Sequence, residues 1–161
     1  MVSAGYQFGQ APIGPQALHL HWGRTTIRPM PFGRAKAHRE FFRLPADGQV
    51  AAGITWQPVP GFESEISELV LSDNLDPHAH TGSRTRLARW ASGTLLELPV
   101  EHDYHEEILV LEGDLVVGCD VDGLGGEAFG PYTFASRPTG VWHGPFTTRT
   151  GCLMREIDSY D

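Results

Sequence analysis

The amino-acid sequence predicts a single all-β domain, folded as an antiparallel β-barrel or jelly roll. Its 161 residues include 19 glycines and 12 prolines, which is typical of short strands joined by many turns. Short apolar stretches recur about every eight to twelve residues, and turn-forming residues separate them. No segment keeps the apolar spacing of a long helix. We expect one domain, because a chain of this length would leave two domains very small.

Residues 1–48 are predicted to form an irregular N-terminal arm before the barrel domain, residues 49–161. Prolines interrupt this arm repeatedly, and six of the 12 cationic residues of the chain lie within it. The only regular element that its sequence suggests is one helical turn at residues 35–42. Such arms often pack across a neighbouring subunit, so a homodimer is the expected assembly.

The barrel domain shows a succession of predicted strands. The first four are residues 54–57, 66–71, 85–90 and 94–100. Alternation in the third places Arg89 on one face, with Leu87, and Arg86 on the other, with Trp90. An apolar run at residues 108–111 then ends at a turn around Gly113. The remaining strands are predicted at residues 115–119, 127–129, 132–136, 141–146 and 151–157.

The charge of the chain limits the classes of partner. Lys and Arg number 12 and Asp and Glu 20, so the formal net charge is −8. This charge disfavours nucleic acids and anionic membranes as partners, because both attract clustered positive charge. No apolar run approaches the roughly 18 residues of a membrane span, and the first residues lack the basic and apolar regions of a signal peptide. We therefore expect a cytoplasmic protein that binds a small-molecule substrate.

Potential metal ligands cluster just before the apolar run at residues 108–111. His102 and Glu106 lie four residues apart, and a Pro-x-Gly turn signal at Pro138 to Gly140 leads to His143. Two imidazoles and one carboxylate would form a facial triad that leaves coordination positions open. This ligand set favours Fe(II), with Zn, Mn, Ni or Co as alternatives. The sequence therefore predicts one divalent metal ion inside the barrel.

These segments resemble the paired motifs of the cupin superfamily. The first family motif has a glycine, a His-x-His pair, a glutamate three or four residues later and a glycine after six more. This chain has Gly93, then Val100-Glu101-His102, Glu106 and Gly113. The second family motif, Pro-x-Gly-x-x-His, is present here as Pro138-Thr139-Gly140-Val141-Trp142-His143. The resemblance implies an RmlC-like jelly-roll barrel with a metal centre.

Within the superfamily, about residues 50–157 resemble the ChrR-type cupins and the small acetylacetone and dihydroxyacetophenone dioxygenases. The resemblance rests on Thr85-Arg86-Leu87-Ala88-Arg89-Trp90, on the run from Glu106 to Gly113 and on His143-Gly144-Pro145-Phe146. It implies a non-haem Fe(II) dioxygenase that acts on a small diketone, hydroxyaryl ketone or organic acid. The alternative is a non-catalytic cupin sensor or ligand-binding barrel of the ChrR type.

The chain departs from the first motif at Val100, which replaces the first histidine of His-x-His. Three arrangements are compatible with this change. The metal is held by His102, Glu106 and His143 alone, or His105 supplies a third imidazole from its bend, or the metal site is lost.

Two further side chains are candidates for catalytic roles near these motifs. Arg89 could bind a substrate carboxylate or enolate, since it lies in an otherwise apolar strand, but a salt bridge to an acidic neighbour explains it equally well. Tyr104 lies between the candidate ligands, where its hydroxyl could hydrogen-bond a bound molecule, although an aromatic on the barrel rim is also consistent.

Overall fold

The computed structural model describes residues 35–161 and confirms the all-β fold. Ten strands form within this range. In chain order they are β1 (Gln57–Pro58), β2 (Ile66–Asp73), β3 (Ser83–Trp90), β4 (Leu95–Leu96), β5 (His105–Gly113), β6 (Leu115–Cys119), β7 (Gly125–Phe129), β8 (Phe134–Arg137), β9 (Phe146–Thr147) and β10 (Cys152–Ser159). The same residues contain no helix long and apolar enough to span a membrane.

The part of the N-terminal arm that the structure describes, residues 35–48, contains no strand. The helical turn predicted at residues 35–42 is absent, and that prediction was wrong. Phe42 packs against the outside of the barrel. Because this contact favours a segment spread over the sheet surface, tertiary packing overrides a weak local preference. The rest of the predicted arm, residues 1–34, lies outside the described residues.

The strands form two antiparallel sheets. One has six strands in the order β1-β2-β3-β10-β5-β8, and the other has four in the order β4-β9-β6-β7. A core of buried side chains fills the space between them, with Trp90 and Met154 from the first sheet and Leu115 and Phe146 from the second. Burial of this apolar surface provides the main driving force for folding. The two sheets thus enclose one barrel interior.

A second apolar cluster covers the outer face of the six-stranded sheet. Leu69 of β2 and Leu87 of β3 are buried there with Ile54, and Trp56 packs beside them. The Trp56 indole N–H donates a hydrogen bond of 3.0 Å to the Pro45 carbonyl, which fastens the preceding segment over the sheet. Strand β3 is therefore buried on both faces.

The turn predicted around Gly113 is confirmed between β5 and β6. Gly113 has a φ of 74°, and a Cβ atom built on it would lie 1.8 Å from the Gly151 carbonyl oxygen. Only glycine avoids both the strained backbone conformation and this clash. The turn therefore brings β5 and β6, strands of different sheets, into direct succession.

Three predicted strands are much shorter in the structure. The one expected at residues 54–57 overlaps β1 at Gln57 alone, because Ile54 forms only an isolated bridge with Ala51. The strand expected at residues 94–100 is reduced to β4, and the one expected at residues 141–146 to β9. Pro99 and Pro145 lie in these segments, and proline has no backbone N–H to donate to a ladder. The last two segments pair through β4 and β9, and beyond that ladder they form an isolated antiparallel bridge between Val100 and His143.

Candidate metal centre

The irregular segments before β5 and before β9 are held together by backbone hydrogen bonds. The Val100 N–H donates to the His143 carbonyl at 2.9 Å, and the His143 N–H donates to the Val100 carbonyl at 3.0 Å. The Gly140 N–H donates to the His102 carbonyl at 2.9 Å. Residues distant in the chain are thereby fixed side by side. The Pro-x-Gly turn thus positions both histidines.

His102, Glu106 and His143 converge on one point inside the barrel. One ligand atom from each lies within 4.8 Å of the others. Glu106 Oε1 is 3.6 Å from His102 Nε2, and Glu106 Oε2 is 3.5 Å from His143 Nε2. The three side chains are only 7–8% exposed. We call this group the His-Glu-His cluster.

Contacts behind each imidazole set its orientation. His143 Nδ1 is 2.8 Å from the Val141 carbonyl oxygen, which can only accept, so Nδ1 carries the proton. Nε2 of His143 then presents a lone pair toward Glu106. The His102 ring stacks on Tyr104 with ring centroids 4.7 Å apart and planes inclined by 7°. Metal-binding histidines in general have such supporting contacts.

Glu106 is fixed from the neighbouring strand. It lies opposite Arg137 in the pairing of β5 with β8, and Arg137 Nη1 donates to Glu106 Oε2 at 2.6 Å. The Arg137 guanidinium also lies over the Phe146 ring, 5.3 Å from its centroid. Arg137 therefore holds one oxygen of Glu106 and leaves Oε1 facing His102.

Burial decides the charge of the His-Glu-His cluster. It lowers the pKa of His102 and of His143 to about 4, so both imidazoles are neutral at physiological pH. Burial also raises the pKa of Glu106, and Arg137 opposes that rise. A neutral imidazole is the form that coordinates a metal, and a nearby divalent cation would favour the ionised carboxylate.

The donor set fits a divalent metal ion. Two atoms that each coordinate one ion at about 2.1 Å lie roughly 3.0–3.4 Å apart. The two carboxylate-to-imidazole distances, 3.6 and 3.5 Å, are close to that range and too long for good hydrogen bonds. Two imidazoles and one carboxylate suit Fe, Zn, Mn, Ni or Co, and in a facial arrangement with open positions they are typical of non-haem Fe(II) oxygenases.

The His-Glu-His cluster lines a cavity in the barrel. Apolar side chains from both sheets line most of this cavity, among them Trp90, Val100 and Met154. The polar lining comprises Glu68, Arg86, His102, Glu106, Arg137, His143 and Glu156. The cavity therefore combines an apolar wall with a set of polar groups that includes the His-Glu-His cluster.

The remaining site candidates from the sequence lie outside this cavity lining. Arg89 points to the outer face of β3, where it forms an ion pair with Asp47 and lies 4.0 Å above the Trp56 ring. His105 Nε2 contacts Asp161 Oδ1 at 3.2 Å. Tyr104 is buried and supports His102 from behind. The structure thus brings neither Arg89 nor His105 to the His-Glu-His cluster.

Four polar cavity residues were not singled out as site residues from the sequence: Glu68, Arg86, Arg137 and Glu156. Arg86 and Glu156 are 4% and 6% exposed and form an ion pair of 2.5 Å between Nε and Oε2. Alternation in β3 placed Arg86 and Arg89 on opposite faces of the strand, so the sequence already indicated that one of the two arginines faces the barrel interior. For Arg137 and Glu156 the signal would have been the strand pairing, which the sequence does not reveal.

Comparisons with known proteins show the fold. No family model and no curated protein sequence matches this chain. Among solved structures, an RmlC-like cupin protein from Ralstonia eutropha matches with a TM-score of 0.52 at 10% identity, covering 71% of this chain and 69% of that one. An RmlC-like cupin from Shewanella frigidimarina gives a TM-score of 0.49 at 16% identity, with 70% and 89% covered. An acetylacetone dioxygenase from Acinetobacter johnsonii gives 0.48 at 15% identity, with 76% and 78% covered.

Proposed function

We propose that this chain, which has the RmlC-like cupin fold, is a metal-dependent enzyme: a non-haem Fe(II) dioxygenase that acts on a small diketone, hydroxyaryl ketone or organic acid. The observation that supports this proposal is the convergence of His102, Glu106 and His143 inside a cavity. A buried set of two imidazoles and one carboxylate is the ligand pattern of mononuclear iron oxygenases.

The residues of the His-Glu-His cluster and their neighbours have distinct roles in this proposal. His102, Glu106 and His143 hold the ion. When bound, iron supplies a Lewis acid for substrate oxygens and a site for the redox chemistry of O2. Arg137 opposes the rise in the pKa of Glu106 that burial causes, and it fixes one Glu106 oxygen through the 2.6 Å hydrogen bond. Val141 sets the tautomer of His143 through its carbonyl.

The cavity walls favour a small substrate with an apolar body. Val100 stands opposite His143 and contributes a methyl surface in place of the third imidazole of the family motif. Trp90, Phe146 and Met154 add further apolar surface to the cavity wall. These residues bind the carbon skeleton and exclude water, while the oxygens of a diketone or hydroxyaryl ketone face the His-Glu-His cluster.

A homodimer remains part of the proposal. Strand β8 is an edge of the six-stranded sheet, and Phe134 on it is 55% exposed, beside Tyr132 at 89%. An uncovered edge with exposed aromatics is suited to pairing with a second chain. Light scattering on the purified protein measures the assembly, and a monomeric mass would refute this part.

O2 consumption tests the enzymatic proposal. We expect the Fe(II)-loaded protein to consume O2 when acetylacetone or 2,4′-dihydroxyacetophenone is added, and the zinc-loaded protein not to. His143→Ala should abolish uptake, whereas His105→Ala, which removes an imidazole outside the cluster, should not. Bound iron without any substrate-dependent uptake would instead favour the alternative, a ChrR-like sensor or ligand-binding barrel.

A further inference from the structure

Glu156 is a buried carboxylate that faces the cavity and that metal binding does not use. It lies on β10, where alternate side chains from Cys152 to Asp158 point into the barrel. Glu156 is 6% exposed, and it lines the same cavity as the His-Glu-His cluster. A buried charge in a cavity is costly to maintain, so such groups are often functional.

The strand register fixes the position of Glu156 relative to the cluster. In the pairing of β10 with β5, Asp158 lies opposite Glu106 and Glu156 lies opposite Ile108. Glu156 therefore stands two residues further along the barrel than the metal ligand, a step of about 7 Å. Glu156 and the metal centre are thus at two successive inward-facing positions along the same cavity.

A contact with Arg86 orients the Glu156 carboxylate. Its Oε2 accepts a hydrogen bond of 2.5 Å from Arg86 Nε. Asp158 and Glu68 also lie near Arg86, at 3.5 and 3.6 Å. Three carboxylates thus share the Arg86 charge, with only Asp158 also paired to Arg84. Loss of one negative charge from this group is therefore easily accommodated.

We propose that Glu156 is the proton acceptor of the site, which takes the acidic proton of a 1,3-diketone or comparable substrate as the substrate binds at the metal centre. This inference rests on the function proposed above. The substrate C–H bond breaks, and its electron pair stays on the substrate to form the enolate. The proton goes to the Glu156 carboxylate, which becomes a neutral carboxylic acid.

The electrostatics of the cavity favour this transfer. The negative charge would move from Glu156 to substrate oxygens at the metal centre, nearer to a divalent cation held by the His-Glu-His cluster. The acid that remains is neutral, which suits a buried position, and burial already raises the pKa of Glu156 while Arg86, Glu106 and Asp158 adjust it by their charges. Arg86 keeps the carboxyl group aimed into the cavity.

Counting protons tests the inference without any turnover. The zinc-loaded protein is titrated with acetylacetone at a pH where the free probe is neutral, and calorimetry in two buffers of different ionisation enthalpy gives the protons released. Ultraviolet absorbance reports the bound enolate. We expect almost no proton release from the wild-type protein and about one proton per bound probe from Glu156→Gln. Glu127→Gln, which changes an exposed carboxylate of β7 outside the cavity lining, should behave as the wild type.

Each outcome is decisive. Release of about one proton by the wild-type protein would overturn the role of Glu156, and that measurement stands even if Glu156→Gln fails to fold. Equal release by wild type and a folded Glu156→Gln variant would overturn it as well. Bound zinc without bound acetylacetone would refute this inference and leave the metal centre intact. Absence of zinc binding would refute the proposed function itself, and the inference with it.

Discussion

Replacement of His143 by asparagine should change how the stability of the metal-free protein depends on pH. The pKa of His143 falls from 6.5 to about 4 because the ring is buried, and its side chain is only 8% exposed. Asparagine does not titrate, and its amide can still donate to the Val141 carbonyl. The substitution therefore removes the titration and keeps the supporting hydrogen bond.

The sign and size of the effect follow from proton linkage. The folded protein binds the His143 proton less tightly than the unfolded chain, so stability falls as pH drops below about 6.5 and the loss is complete below about 4. At about pH 5 the penalty is about 2 kcal/mol, since roughly 1.5 of the 2.5 pKa units are then expressed. His102 imposes a similar penalty that the variant retains.

Urea unfolding of the EDTA-treated proteins, followed by tryptophan fluorescence, measures the difference. Between about pH 8 and about pH 5, the free energy of unfolding of His143→Asn should gain about 2 kcal/mol relative to wild type. Any pH-independent cost of the substitution cancels in this comparison. A difference that stays constant within about 0.5 kcal/mol would refute the assignment of His143 as a buried neutral imidazole.

Three other substitutions have defined outcomes. Arg137→Gln should weaken zinc affinity by about 10–100-fold in a chelator competition, because Glu106 loses its 2.6 Å hydrogen-bond partner. Val100→His should bind zinc more tightly, by about tenfold or more in the same assay, because it places an imidazole directly opposite His143. Met154→Ala should lower the free energy of urea unfolding by about 2–5 kcal/mol, because Met154 is 1% exposed in the core.

The sequence was sufficient for the fold and for the position of the cluster. Strand β6 falls where it was predicted, and alternation in β3 and β10 separates inward from outward residues. The turn at Gly113 was visible because only glycine satisfies its φ of 74°. Convergence of His102, Glu106 and His143 was predictable because each lies beside a turn or a strand start.

The sequence did not reveal which face of β3 looks into the barrel. A period of two residues gives the same pattern for both choices, and here both faces are buried. Leu87 packs in the second apolar cluster, on the outer face of the six-stranded sheet. The face of β3 that carries Leu87 and Arg89 is therefore the outer one. Arg86, on the other face, enters the cavity.

The direction of the His105 side chain could not be predicted, because a bend precedes β5. Residues 101–104 are irregular, so strand parity cannot decide which histidine turns inward. The contact between His105 and Asp161, at 3.2 Å, depends on the end of the chain lying beside β5. Such long-range contacts depend on strand register, which local sequence does not encode.

Metal content tests the central claim most directly. The purified protein, loaded anaerobically with Fe(II) and desalted, is analysed for metals beside His143→Ala and His105→Ala. The His-Glu-His cluster predicts about one ion per chain in wild type and in His105→Ala, and loss of the ion in His143→Ala. No bound metal in the wild-type protein, or equal metal in all three proteins, would contradict a metal centre at His102, Glu106 and His143.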